Sequence, residues 1–459
     1  MHNNIPFIST IIKLHEIRKY SAEISRIYRM NPEELRELQL NYLKKIVIYA
    51  YNNVKLYREK WDKAGVSPKD IKEIEDLHKL PIITKNDLKN FFPGGILAKN
   101  YSREDCCIIS TSGSTGTPVR IFVERDRILF DIARSIVWSR FTGIRMGTIV
   151  GIVVTSRDSI EYVYGRGIPW FLRRRRFFTK RRMYRFDVRD YPKNHISAVN
   201  KIKPDSLLTY PSVLKNMALT ALEEGITISQ PRLIITFGEV LDMHTRKIIE
   251  KVFNSEIINV YGATETGTIA SECLKHEGLH IAWNIIVELI KNGKPVSYGE
   301  PGQVVVTDLI KNATPIIRYS GLGDVAVMKR GWGTCNLKSP LLELIEGRLV
   351  DSVILKDGRI IHPYTLTLLI QDIPFIAKFQ IIQKEVDEME ILIVPEKTKD
   401  TKTLPSSTEN KLGREICKRF KKELGDKMKI NITFVEDIPR RPGSYTYATV
   451  LSLVSKELI

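Results

Sequence analysis

Residues Thr111-Ser112-Gly113-Ser114-Thr115-Gly116-Thr117-Pro118-Val119 place hydroxyls and glycines in one uncharged stretch. Glycine lets the main chain approach an anion closely and tolerates positive φ, so successive N–H groups can turn inward while the hydroxyls add donors. The chemistry that suits such a stretch is the cradling of a polyphosphate. The same composition also makes a solvated turn. A Walker loop is excluded, because Gly116 is followed by Thr117 and a proline rather than by lysine and Ser/Thr. Two further segments set reactive side chains beside glycine: Thr236-Phe237-Gly238-Glu239 and Tyr261-Gly262-Ala263-Thr264-Glu265.

These segments need elements to hold them. Strand-like runs at Thr148–Thr155, Ser206–Thr209, Leu233–Phe237 and Ile257–Tyr261 alternate with helical patterns at Arg127–Phe141, Pro211–Glu224 and His244–Phe253, the order of a parallel α/β layer. Ligands in such sheets sit beyond the carboxyl ends of strands, where both glycine-containing segments fall. Upstream, residues 11–62 read as helical, with a capped start at Asn31-Pro32-Glu33-Glu34. Leu80–Lys85 reads as an extended crossing before a helix at Asn86–Phe91. Val287 to Val327 suggests antiparallel strands, Lys397–Asn410 a polar surface loop, and Glu346-Gly347-Arg348 the start of a separate unit.

A length of 459 residues implies two to four compact units at roughly 100–200 residues each. The 71 Lys and Arg against 53 Asp and Glu give a formal charge of +18, which favours anionic partners without choosing among them. Five scattered cysteines argue against a disulfide framework and for a reducing, cytoplasmic setting. No secretory signal is visible, and nothing approaches the roughly 18 apolar residues of a membrane span.

Three phrases then fall in order: Thr111–Val119, Tyr261–Glu265, and Glu346-Gly347-Arg348 leading to Asp351 and Asp357-Gly358-Arg359. Together with Tyr210-Pro211-Ser212, Gly238-Glu239-Val240-Leu241 and Ile317-Arg318-Tyr319, they resemble the motifs of the adenylate-forming ligases. More narrowly, the chain is similar to the phenylacetate-CoA ligase-like family, including its branch associated with capsular polysaccharide synthesis. The resemblance implies an α/β fold: a large N-terminal adenylate-forming, acyl-CoA synthetase-like domain over residues 1–346 and a small, mobile α+β C-terminal domain over 347–459, with nucleotide between them. It implies AMP-forming activation of a small carboxylic acid by ATP and transfer to coenzyme A. Thr111, Ser112, Gly113, Ser114, Thr115 and Gly116 would hold the β- and γ-phosphates. Gly238 and Glu239 would line the adenine pocket, with Tyr261 and Gly262 against the base. Thr264 would contact the α-phosphate, Glu265 would ligate Mg²⁺, Asp324 would accept from the ribose hydroxyls, and Arg348 would follow at the domain junction. Taken singly, Asp324 and Arg348 also suit surface or hinge positions, Tyr261 a core aromatic, and Glu239 a helix cap.

The chain also departs from that pattern. The family's C-terminal catalytic lysine follows a glycine; here Ile438-Pro439-Arg440-Arg441-Pro442-Gly443 is followed by Ser444. Losing one charged donor costs about 10²–10³ in rate by analogy with an oxyanion donor. An adenylate-fold protein that binds nucleotide with weak or no ligase turnover, acting in cell-surface polysaccharide synthesis, is therefore the alternative. Some relatives bind structural zinc through Cys, His and a Cys-x-Cys pair; this chain keeps Cys273, His276 or His280, and Cys335, but has Leu337 at the last position. The run Arg173–Arg182, with Phe177 and Phe178 inside it, reads as a solvated face or as a peripheral contact with an acidic partner or the anionic inner face of a membrane. It has no recognisable nucleic-acid-binding fold. A homodimer is compatible with the sequence, which leaves the oligomeric state, the acid and the final acyl acceptor open.

Overall fold

The computed structural model describes residues 5–110, 119–144, 147–153, 183–188, 190–346, 353–356, 360–361, 366–367, 369–370, 373–395, 405–438 and 449–454. The fold divides into two compact units interleaved along the chain: Met1–Gly147, Val163–Met183 and Ile258–Ile345 form one, and Thr148–Tyr162, Tyr184–Ile257 and Glu346–Ile459 the other.

The first unit opens with helices α1 (Ile5–Ile27), α2 (Pro32–Asn53), α3 (Lys55–Lys63) and α4 (Lys85–Phe91). Helix α2 starts where the sequence says it must. The Asn31 side chain accepts from the Glu34 N–H, the Glu34 carboxylate accepts from the Asn31 N–H, and Pro32 occupies the first turn, where its missing N–H costs nothing. Its buried face, Leu35, Leu43, Ile46, Val47 and Ala50, follows the helical period. Thr84 and Asp87 form the same reciprocal cap on α4. A hairpin of β1 (Cys106–Ser110) and β2 (Arg120–Glu124) leads into α5 (Arg125–Thr142), which ends at Gly143 in the left-handed conformation.

The strands of this unit come later in the chain. They are β7 (Glu256–Ala263), β8 (Gly267–Ser271), β9 (Leu279–Ile281), β10 (Ile285–Lys291), β11 (Lys294–Pro295), β12 (Pro301–Asp308), β13 (Val325–Met328) and β14 (Leu341–Glu346), with β7 and β14 each reaching its border. Pairing is antiparallel in β7·β8, β8·β9, β9·β14, β10·β12 and β12·β13. One core joins Leu43, Tyr57, Trp61, Phe122, Ile269, Val304, Val306 and Tyr319.

The second unit has the parallel arrangement expected from the alternating pattern. Strand β3 (Ile149–Val153) pairs with β5 (Ser206–Thr209), and β5 with β6 (Leu233–Phe237), all parallel. Helices α6 (Pro192–Ile202), α7 (Pro211–Glu224) and α8 (Met243–Phe253) intervene, and β4 (Met183–Asp187) belongs to the same layer. The unit's C-terminal part has a short β15–β16 pair (Val353–Ile354 and Ile360–Ile361) and a four-stranded sheet. That sheet runs in the order β19 (Lys429–Phe434), β18 (Glu388–Pro395), β17 (Ile376–Glu385), β20 (Val450–Ser452). Helix α9 (Ser406–Leu424) packs Leu412, Ile416, Phe420 and Leu424 on it. Residues 406–410, expected as the end of a polar loop, are the first turn of this helix: Pro405 precedes it, and its polar start leaves the apolar period to begin only at Leu412.

Candidate functional site

In the second unit, strand β6 delivers Gly238 and Glu239 to the start of α7. Gly238 has φ of +76°, and an added Cβ would lie 3.0 Å from the Tyr210 ring, so glycine lets Tyr210 pack against this turn. The Tyr210 and Phe237 rings lie 4.9 Å apart. Glu239 accepts from the Ser212 N–H and from the Ser212 hydroxyl, each at 2.9 Å, and thereby puts a carboxylate at the positive end of α7. The capping role open to Glu239 from its sequence is thus present.

In the first unit, β7 ends in Tyr261, Gly262 and Ala263 and turns tightly into β8. An added Cβ at Gly262 would lie 2.7 Å from the Gly267 carbonyl oxygen, so this turn needs glycine to close. Tyr261 is buried, and its hydroxyl donates to Asp324 Oδ2 at 2.8 Å. Two residues assigned to one nucleoside by resemblance are therefore direct neighbours. Within the turn Thr264 is exposed, whereas Glu265 is only 4 % exposed and accepts from the Tyr319 hydroxyl at 2.7 Å. Among the described residues, Glu265 Oε2 has no hydrogen-bond partner, so the carboxylate keeps one oxygen for a hard cation such as Mg²⁺, which takes carboxylate ligands.

Sequence reasoning missed what holds this turn. Three buried cations bond its main-chain oxygens: Lys311 Nζ reaches the Glu265 carbonyl at 2.5 Å, Arg127 the Thr266 carbonyl at 3.1 Å, and Arg134 the Thr268 carbonyl at 3.2 Å. Arg127 forms an ion pair with Asp308 at 2.7 Å, with both side chains almost fully buried. Asp308 also accepts from Asn284 and from the Ile310 N–H, each at 3.2 Å, while Arg134 donates to Asn284 Oδ1. The Glu124 carboxylate receives the N–H groups of Asn312 and Ala313 at 2.9 and 3.1 Å, fixing the segment that carries Lys311. Burial, and then the charge of Arg127, push the Lys311 ammonium down to about 8 against the opposing pull of Asp308 and Glu124. A signal did exist: Lys311 and Arg318 lie in a stretch rich in Val, Ile and Leu, and cations in such places need partners. Arg318 finds Glu288 at 2.9 Å and the carbonyls of His78 and Leu80.

The Ser/Thr/Gly loop Thr111–Gly116, Arg348, Ser444 and the run Arg173–Arg182 lie outside the described residues. Cys273, His280 and Cys335 are brought together, with their ligand atoms within 4.8 Å of one another. Cys335 Sγ lies 3.1 Å from His280 Nε2, and the N–H groups of Lys275 and Leu337 each approach a sulfur at 3.4 Å. Tetrahedral zinc with Zn–S of about 2.3 Å and Zn–N of about 2.0–2.1 Å separates its donors by about 3.5–3.8 Å, so these three atoms suit three corners. Among the described residues the fourth corner is not provided. Leu337 is fully buried beside Cys335, and His276 instead faces Glu272 at 3.5 Å. The set is incomplete for a closed structural site, and burial pushes His280 down to about 4 and Cys335 up to about 11, so a neutral imidazole and a thiol rest there at neutral pH.

Comparison with known proteins gives the family and the fold. Residues 33–308 match the AMP-binding enzyme family, and residues 353–449 match the CapK C-terminal domain. Phenylacetate-coenzyme A ligase of Thermus thermophilus is 26% identical over 395 residues, spanning 82% of this chain and 84% of that protein. Protein CapK of Staphylococcus aureus is 23% identical over 439 residues, spanning 94% and 92%. Among solved structures, 2-hydroxyisobutyryl-CoA ligase in complex with 2-HIB-AMP in the postadenylation state superposes with a TM-score of 0.76 at 20% identity, over 94% of this chain and 92% of that one, which shows a shared fold. The chain belongs to the AMP-binding enzymes, within the phenylacetate-CoA ligase-like group of adenylate-forming ligases and beside its capsule-associated CapK branch.

Proposed function

We propose that this protein activates a small carboxylic acid with ATP and passes the acyl group to coenzyme A. In the first step a carboxylate oxygen bonds to the α-phosphorus, the bond from that phosphorus to the bridging oxygen breaks, and pyrophosphate leaves. In the second the coenzyme A sulfur bonds to the acyl carbon, AMP leaves, and the thiol proton passes to solvent. The observation that carries the proposal is the joining of Tyr261 to Asp324 beside the anchored turn that carries Thr264 and Glu265.

Each residue has a defined task in this proposal. Tyr261 offers a flat face to adenine while its hydroxyl fixes Asp324, whose carboxylate accepts from the ribose hydroxyls. Gly238 and Glu239 border the adenine, Thr264 donates to the α-phosphate, and Thr111–Gly116 hold the two phosphates that depart. Glu265 would hold Mg²⁺, which supplies charge neutralisation on the phosphates. Arg348 stands at the junction between an adenylation domain of residues 1–346 and a C-terminal domain of 347–459, a boundary supported by the separate family matches at 33–308 and 353–449. Similarity to CapK supports a place in cell-surface polysaccharide synthesis. Among the described residues no helix is long and apolar enough to cross a membrane; the proposal includes a peripheral contact with an anionic membrane or acidic partner through Arg173–Arg182.

Ser444 favours a second proposal, nucleotide binding with weak or no turnover, because a neutral hydroxyl stands where relatives place a charged donor. Acid-dependent exchange of radiolabelled pyrophosphate into ATP, run over aliphatic, aromatic and hydroxy acids, separates the two. The ligase proposal expects exchange with at least one acid and its acceleration in Ser444→Lys. Thermal stabilisation by ATP with no exchange for any acid, in either protein, would establish the second.

A further inference from the structure

We infer that Tyr319 and Lys311 are positioning residues that set Glu265, Tyr319 through its carboxylate and Lys311 through its main chain. The inference deepens the proposed function and rests on Glu265 being a metal ligand. A glutamate has three side-chain torsions, and an unanchored carboxylate in a turn samples many directions at an entropic cost when it must present one. Here the Tyr319 hydroxyl holds Oε1 at 2.7 Å, which anchors one end of the carboxylate and leaves Oε2. Tyr319 is itself held on all sides. Its N–H and C=O both pair with Val306, at 2.9 and 3.0 Å, and its side chain is fully buried in the main core of the first unit. Gly321 makes the remaining room, since an added Cβ there would overlap the Tyr319 ring and hydroxyl.

Lys311 completes the arrangement from the other side. The residue is 3 % exposed, and its ammonium donates to the Glu265 carbonyl at 2.5 Å. One hydrogen bond to a neutral carbonyl does not offset burial of an ammonium; the neighbouring carboxylates Asp308 and Glu124 make the charge tolerable. What the placement adds is position. A carbonyl bonded to a buried cation resists rotation, which restrains the Glu265–Thr266 peptide plane and with it ψ of Glu265.

The probe is Mn²⁺, titrated with a non-hydrolysable ATP analogue bound and followed through the free-ion signal in electron paramagnetic resonance. Tyr319→Phe keeps the ring and removes the hydroxyl; Gly321→Ala displaces the ring; Lys311→Met removes the ammonium. Tyr42→Phe is the control, because its hydroxyl also meets a glutamate, Glu23, at 3.2 Å, away from this turn. We expect Tyr319→Phe to weaken Mn²⁺ binding about 10-fold or more, the scale of one hydrogen bond to a charged group. Gly321→Ala and Lys311→Met should shift in the same direction and Tyr42→Phe should match the wild type. Near-ultraviolet circular dichroism identifies the folded variants, and any one of the three that folds supplies the test. Unchanged Mn²⁺ affinity in a folded Tyr319→Phe or Gly321→Ala protein overturns the role of Tyr319, and in folded Lys311→Met the role of Lys311. A wild-type protein that binds the analogue but no Mn²⁺ overturns the assignment of Glu265 itself, and the positioning inference with it.

Discussion

Replacing Arg127 by leucine strands a carboxylate in the interior. Arg127 and Asp308 approach to 2.7 Å with side chains 3 % and 0 % exposed, so the loss of the cation leaves Asp308 without its main counter-charge. Breaking a buried pair costs about 3–5 kcal/mol, because the survivor stays desolvated. Two observations place this case at the lower end: Asp308 keeps hydrogen bonds from Asn284 and the Ile310 N–H, and the Arg127–Asp131 contacts at 3.2 Å reach a half-exposed partner worth little. The lost donor to the Thr266 carbonyl adds about 1 kcal/mol, giving ~4 kcal/mol in all. For a unit of this size the melting temperature should fall by about 8–16 °C. Urea unfolding of the wild type, Arg127→Leu, Asp308→Leu and the double variant supplies the cycle. The double variant should recover at least ~1 kcal/mol relative to Arg127→Leu, since no stranded charge remains. A loss below ~1 kcal/mol in Arg127→Leu, or a double variant as unstable as the sum of the single changes, would refute the stranded-charge account.

Three other outcomes follow from the same contacts. Tyr261→Phe frees Asp324 from its 2.8 Å hydrogen bond and should weaken AMP binding about 5–10-fold by isothermal titration while leaving the melting temperature within a few degrees. Glu239→Ala removes two acceptors from the start of α7 and should cost about 1–2 kcal/mol in urea unfolding; no loss would contradict the capping role. Leu337→Cys adds a fourth donor beside Cys335 and should yield a protein retaining one zinc per chain after dialysis against chelator, by elemental analysis, where the wild type retains less.

Much of the fold could be read from local pattern. The Asn31-Pro32-Glu33-Glu34 start, helix Pro211–Glu224 and strands Ser206–Thr209 and Leu233–Phe237 lie where periodicity and capping place them, because each depends on residues within a few positions of one another. Thr264, Glu265, Tyr261 and Asp324 were picked out by motif, and the hydrogen bond between the last two was not. The partners of the turn's anchors are illegible in the sequence for a physical reason: Arg127 and the Thr266 carbonyl are 139 residues apart, Lys311 and the Glu265 carbonyl 46. A carbonyl acceptor leaves no trace in residue type. The same distance hid the meeting of Cys273, His280 and Cys335, where spacing counted the donors but could not show that all three face one point.

That Arg127, Arg134 and Lys311 hold the turn by its backbone oxygens rather than by its side chains separates the path of the turn from its chemistry. A carbonyl is present whatever residue bears it, so the exposed side chain of Thr264 can be exchanged without loosening the frame. For an engineer this makes position 264 a place to probe the proposed α-phosphate contact at small cost in stability, while the three cations, distant in sequence, keep the main chain in register.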